Sequence, residues 1–219
     1  CGSHQSPAVA SPMGYALVDC NRFHRNTHRL ILLVAVAIGL LAGLVRARMD
    51  GRPYALPDLR LTWLAAVAFV PQWLAFGNAP TRARFTDRDA AVALVASQVV
   101  LSGFGVANRH HPAFRLLTLG LLLNLAVIVA NGGLMPISPE TVRRLAPKRP
   151  AGHWKIGHRF GKTKDRIIPE SATTFPWLSD RFLLVTRLPY RVAYSVGDVV
   201  IAVGAFWFLW AAGGVIQEQ

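Results

Sequence analysis

The sequence predicts an all-α integral membrane protein, with about five transmembrane helices in one bundle and a long basic extramembrane loop between helices four and five. Three observations carry that prediction. Apolar residues are gathered into blocks, leaving five charge-free windows at 30–45, 61–81, 90–108, 116–139 and 199–217. Only 16% of the 219 residues are charged and 53% are hydrophobic, whereas soluble domains carry about 25% charged residues. The net charge of +13 is uneven: between Thr141 and Arg191, twelve Lys and Arg stand against Asp165, Glu170 and Asp180 alone. A span needs roughly 20 apolar residues, with a range of about 17–25. Four windows meet that. The first, 16 residues between Arg29 and Arg46, is slightly short, and arginine stems that snorkel to the interface make up the difference.

The chain divides accordingly into a polar tail (1–29), a four-helix membrane region (30–138), a basic interfacial segment (139–194) and a fifth helix with the C-terminus (195–219). The tail has Pro7, Pro12 and Gly14 and no apolar period. Its opening Cys-Gly-Ser resembles the mature end of a bacterial lipoprotein, with lipid on Cys1; a truncated start is the simpler reading. With Cys20 the count is two, too few for a disulfide framework or a four-thiolate metal site.

The first span, Leu30–Val45, carries Gly39 and Gly43 at the spacing that lets another helix approach closely. Arg46 to Arg60 forms a tight basic turn, in which Asp58 is the expected N-cap of the second span, Leu61–Phe76. Pro71 lies inside that span and is expected to kink it. Thr86 and Asp89 have capping-box spacing before the third span, Ala90–Ala107. His110-His111-Pro112 opens the fourth, with proline suited to a first helical turn. Gln98 and Asn124 sit within these two spans and are expected to face the bundle, because a lipid-facing amide is costly.

The fourth span flows into Asn131-Gly-Gly-Leu-Met-Pro-Ile-Ser138. Gly132 and Gly133 suit a left-handed helix end. Met135 and Pro136 lead to Ser138, an N-cap followed by Pro139, so a short helix is expected along the membrane surface to about Leu145. Residues 146–194 read as a loop, broken by Pro147, Pro150, Gly152, Gly157 and Gly161, with apolar residues too scattered for a core of their own. Gly152-His-Trp and Gly157-His-Arg-Phe interleave cations with aromatics and read as an interfacial layer. Trp177 to Phe182 reads as a turn. Ser195, with Gly197 and Asp198 after it, opens the last span; Ser195 and Asp198 form a second capping box, so Asp198 is read as a cap and not as a proton carrier.

Several chemistries lack their residues. No histidine falls inside a span, which argues against a transmembrane bis-histidine haem. There is no Cys-x-x-Cys-His, no glycine-rich phosphate loop and no His-Glu-x-x-His. His24 with His28, and His110 with His111, have no third partner at ligand spacing. No catalytic residue, metal or cofactor is therefore assigned; pigment or lipid contacts would come through partner subunits. Nucleic acid is a poor partner for a basic loop tethered to a membrane. Anionic head groups fit better, at about 1 kcal/mol per basic residue near the surface, as do other membrane subunits.

Two function classes follow. The first is a non-catalytic structural or accessory subunit of a larger membrane complex, energy-transducing or photosynthetic in the specific expectation. The second is a membrane-embedded enzyme or carrier for a lipid-like or quinone-like molecule, using Asn131, Asp180, Arg181 and Asp198 at one interface. A cavity lined by these residues favours the second; flat helix faces buried against other chains favour the first.

Asn131 to Pro139, Lys164-Asp165, Pro169-Glu170, Ser179-Asp-Arg-Phe182 and Ser195-Val-Gly-Asp-Val199 together resemble the domain-of-unknown-function family 5317, bacterial multi-pass membrane proteins. Their order and the span pattern match over roughly residues 30–213. The resemblance implies the fold and a bacterial inner-membrane location, and names no activity. Five spans put the termini on opposite sides. The short loops tie in Lys and Arg count, so the four arginines of 46–60 decide weakly. They place the N-terminus and long loop outside and the C-terminus in the cytoplasm.

Overall fold

Among the described residues seven α-helices form, the longer ones where the chain lacks charge. The computed structural model describes residues 30–147, 149–150, 152–185 and 191–214; Cys1, Cys20, His24 and His28 lie outside them. The helices are α1 (Leu30–Met49), α2 (Thr62–Gln72), α3 (Ala79–Arg84), α4 (Asp87–Ala107), α5 (Pro112–Ala130), α6 (Pro139–Leu145) and α7 (Val196–Ala212). α1, α4 and α5 are long and apolar enough to cross a membrane. α7, and α2 together with the turn that follows it, are shorter apolar helices. The protein is thus a mostly helical, multi-pass membrane protein.

Local chemistry sets the helix ends. The Thr86 hydroxyl accepts from the Asp89 N–H at 3.2 Å, and the Asp89 carboxylate accepts from the Thr86 N–H at 3.0 Å. Ser195 and Asp198 repeat the arrangement at 3.1 and 3.2 Å. Pro112 occupies the first turn of α5 after His111. Asp58, in contrast, does not cap α2. The residue before that helix is Leu61, held left-handed at φ 55°, with no side-chain cap bond. The chain from 52 to 59 forms neither helix nor strand, and the backbone at its end is fixed from elsewhere: the Arg60 N–H donates to Asn108 Oδ1 at 2.8 Å, and Asn108 Nδ2 donates back to the Arg60 carbonyl at 2.9 Å. Pro71 lies inside α2, which widens into one π turn over Trp73–Gly77.

The helices pack in the order α1, α7, α5, α4, α2. Small residues set the spacing. A Cβ on Gly39 would sit 2.9 Å from the Phe206 backbone, and one on Gly43 would overlap the Leu209 carbonyl. α1 therefore lies directly on the backbone of α7. α7 meets α5 the same way, where Gly120 faces the carbonyl of Gly197.

Between α5 and α7 the chain builds a cap, and here the expectation of a loop without a core is corrected. β1 (Met135–Ile137) pairs parallel with β2 (Asp165–Ile167), and β3 (Phe182–Val185) pairs antiparallel with β4 (Arg191–Tyr194). The fold is therefore not purely α, and Phe182 begins a strand instead of ending a turn. Residues 157–160 run back along β2, with the Phe160 N–H on the Asp165 carbonyl at 2.8 Å. Ile137, Val142, Leu145, Phe160, Ile167 and Ala193 are buried together, with Trp154 and Leu183 against them. The apolar residues are scattered in sequence, but strand pairing gathers them. Phe160 and Arg159 do not form an interfacial layer. Phe160 is 1% exposed, and buried Arg159 reaches Asp87 at the start of α4 at 3.4 Å.

Replacing Gly39 and Gly43 together with Leu forces α1 off α7. Overpacking of this kind costs about 1–3 kcal/mol per site. The expected result is a lower thermal unfolding temperature of the detergent-solubilised protein. An unchanged temperature and yield would show that the two helices do not pack through these glycines.

Candidate functional site

The seam between helices and cap is built from the residues that the sequence singled out. α5 ends at Asn131, whose Nδ2 donates to the Val127 carbonyl at 2.7 Å and to the Thr174 carbonyl at 2.9 Å. The Thr174 N–H returns a bond to Asn131 Oδ1 at 2.9 Å. One amide side chain thus closes the helix and clamps a cap segment 43 residues away. Gly132 and Gly133 then turn the chain at φ 80° and 85°, a conformation glycine adopts without steric cost. Met135 follows, fully buried, and its N–H donates to the Lys164 carbonyl at 3.0 Å. The Pro136 carbonyl accepts from the Asp180 N–H at 3.2 Å. Ser138 caps α6 as expected, accepting from the Thr141 N–H at 3.1 Å.

At the centre lies Lys164. Its Nζ donates to Asp180 Oδ2 at 2.8 Å and stands 3.9 Å from Asp165 Oδ1. Both aspartates are fully buried. Burial by itself pulls the Lys164 pKa down, but the charges of Asp180, Asp198 and Asp165 outweigh it and hold the ammonium above the usual lysine range. The group therefore stays charged at any physiological pH.

Next to it, Asn124 of α5 is joined to the start of α7. Its Nδ2 donates to Asp198 Oδ1 at 2.8 Å, and the Ser195 hydroxyl donates to its Oδ1 at 2.9 Å. A side chain on Gly197 would overlap the Asn124 amide, so this approach needs glycine there. Asp198 is at once a helix cap and the partner of a mid-span amide.

Below the seam lies a cavity of about 780 Å³, within the ~300–1,000 Å³ range of small-molecule sites. Leu101, Phe104, Phe114, Leu117, Leu121 and Ile201 line its apolar part, with Gln72, Gln98, Asn124 and Asp198 among them. Gln98 and Asn124 therefore both face the bundle. Leu32 of α1, and Trp73 and Phe76 of the π turn that continues α2, also line it, so the two ends of the helix row curl round one space. The cap closes it with Met135, Trp154, Phe160 and Lys164, and Arg82, Arg149, His153 and Lys162 stand there too.

Of the expected site residues, Asn131, Gly132, Gly133, Met135, Pro136, Asp180, Ser195, Gly197 and Asp198 converge on the seam, and Ser138 caps the adjoining helix. Arg181 does not join them: it is exposed, as is Phe182. Gly39 and Gly43 belong to the α1–α7 contact. Sequence reasoning missed Arg82, Arg149 and Lys162, which carry no local pattern, and it read Trp154 as part of an interfacial layer, whereas Trp154 packs against the core of the cap. Among the described residues, no group of three or more His, Cys, Asp or Glu is arranged to hold a metal ion.

An uncharacterized protein of Thermotoga maritima is 29% identical over 115 residues, covering 51% of this chain and 59% of its own length. No solved structure matches the chain. The Family of unknown function (DUF5317) matches residues 57–210, from the segment before α2 to the last turns of α7. That stretch begins after α1 and contains every residue of the seam. The chain belongs to this family.

Proposed function

We propose that the protein binds one lipid-like molecule in the membrane, its chain in the apolar cavity and its head beneath the cap. The single observation behind this reading is the cavity itself, apolar along the helices and polar at the cap. Of the residues that the sequence set aside for such a site, Asp198 lines the cavity, with Met135 beside it, while Asn131 and Asp180 are engaged in the adjoining seam. Carriage or binding is proposed in preference to chemistry, because Asn124 and Asp198 are already engaged with each other and with the start of α7. α1 and α2 are the two ends of the helix row and both line the cavity. An occupant would enter from the bilayer between them.

On this reading all five apolar helices cross the bilayer. α7, with 17 residues, spans about 25 Å at 1.5 Å per residue, against about 30 Å of hydrocarbon. A difference of that size is met by local thinning and snorkelling of the flanking residues. The cap faces outside and the C-terminus lies in the cytoplasm.

Leu121→Trp fills the cavity from α5. Native mass spectrometry of the protein released from its own membrane should show a bound adduct of lipid mass, lost in this variant. No adduct on the unaltered protein, or the same adduct on both, contradicts the proposal. For sidedness, a reporter that works only in the cytoplasm, fused after Gln219, should be active. Silence there, with activity from an insertion near Gly157, reverses the orientation.

A further inference from the structure

At the end of α4 away from the cap, three arginines from separate stretches meet. Arg60, Arg109 and Arg115 line a cleft of about 650 Å³ together with His110, Val106 and Ala107. α4 has 21 residues, about 31 Å at 1.5 Å per residue, and the hydrocarbon of a bilayer is about 30 Å thick. The cleft therefore sits at the membrane surface opposite the cap. Asn108, fully buried, builds it: its two bonds to the Arg60 backbone, at 2.8 and 2.9 Å, hold a residue 48 positions away against the turn between α4 and α5. Arg115 is held in turn by its Nε, which donates to the Arg109 carbonyl at 3.0 Å. These bonds place the guanidinium groups without neutralising them. Among the described residues, no carboxylate lines the cleft and no ion pair engages the three arginines. Asp58, the acidic residue nearest to Arg60 in sequence, is exposed and lies outside the lining. His110 has its pKa lowered, by desolvation first and then by His111 and Arg60, so it is neutral at physiological pH.

We infer that this cleft holds the head of an anionic phospholipid of the leaflet opposite the cap, its phosphate among Arg60, Arg109 and Arg115. The inference is independent of the cavity. Like charges gathered in one cleft repel each other, and an anion placed among them replaces that repulsion with attraction. Guanidinium forks pair with phosphate oxygens through parallel hydrogen bonds. A zwitterionic head would bring its own ammonium in among three cations, whereas a glycerol head brings only hydroxyl groups. What makes the anion a lipid and not a free ion is the helix face that starts at the cleft. Val106, Gly103, Val99, Ala96 and Val92 follow one another along α4 at steps of three or four residues, and all are exposed. They therefore form a single apolar strip down the helix. A Cβ on Gly103 would meet nothing within 4 Å, so the strip is open where an acyl chain would first lie on it.

The test is native mass spectrometry of the full-length protein in a neutral detergent, titrated with palmitoyl-oleoyl phosphatidylglycerol or with the phosphatidylcholine of the same chains. The first phosphatidylglycerol should bind with a Kd lower than that of phosphatidylcholine by on the order of tenfold. The double substitution R60Q/R109Q should remove most of that preference while phosphatidylcholine binds as before. R84Q/R88Q, which removes the same charge near the cap end of α4, should keep the preference. Equal binding of the two lipids to the unaltered protein would overturn the site. So would a preference kept in R60Q/R109Q, or one lost equally in R84Q/R88Q, since the effect would then follow net charge and not this cleft. Inorganic phosphate and hexaglutamate serve as competitors without a chain. Displacement of phosphatidylglycerol by either at equal concentration would mean a free anion site or an acidic protein segment in its place, and would overturn the lipid.

Discussion

A buried ammonium has to be paired, and much of this structure is arranged around that requirement at Lys164. Taking a charge out of water costs several kcal/mol unless a counter-charge and hydrogen bonds replace the lost hydration. Asp180 and Asp165 do so from a site with no exposure of their own. To bring them there, β2 must lie beside β1, and the segment after Leu178 must return to the Pro136 carbonyl. The raised Lys164 pKa means that this contribution is complete below the unfolded lysine value of about 10.4 and is lost only as pH rises past the folded value. The pair is a constant of the fold over ordinary pH, not a switch.

The second constraint is close helix approach. In lipid there is little hydrophobic force between helices, so packing and hydrogen bonds must bring them together. α7 satisfies this on two sides, against α1 through Gly39 and Gly43 and against α5 through Gly120 and Gly197. The same approach brings Asn124 to Asp198 and Ser195. α2 sits at the far end of the row, held to α4 by Gln72 Nε2 on Ser97 Oγ at 2.7 Å. The helices are therefore tight along the row and leave their free volume on its inner side, where the cavity lies.

What could be read in the sequence was local. Thr86 with Asp89, Ser195 with Asp198, and Ser138 with Pro139 place both partners within three residues, so spacing alone reveals them. Gly132 and Gly133 mark a helix end for the same reason. The spacing of Gly39 and Gly43 announced a close helix contact, but not that α7 would be the partner. Asn131 was visible as a helix end, not as a clamp on Thr174. The cap was misread because its core joins Ile137, Phe160, Ile167 and Ala193 over more than fifty residues, with strands of three and four residues too short to show a period. Lys164 and Asp180 lie 16 residues apart and have no helical or strand spacing that would link them. Asp58 failed as a cap because Asn108, distant in sequence, holds the backbone there.

The central claim is that the Lys164–Asp180 pair holds the segments of the cap together at its seam with the bundle, and a double-mutant cycle on unfolding in detergent tests it directly. Asp180→Asn should cost about 3 kcal/mol, because it leaves the buried ammonium short of its nearest counter-charge. Lys164→Met should cost a similar amount by leaving the carboxylate. The double variant should cost less than the sum of the two by more than about 1 kcal/mol. Additive losses would contradict the account, since the two side chains would then be independent and the seam would rest on something else.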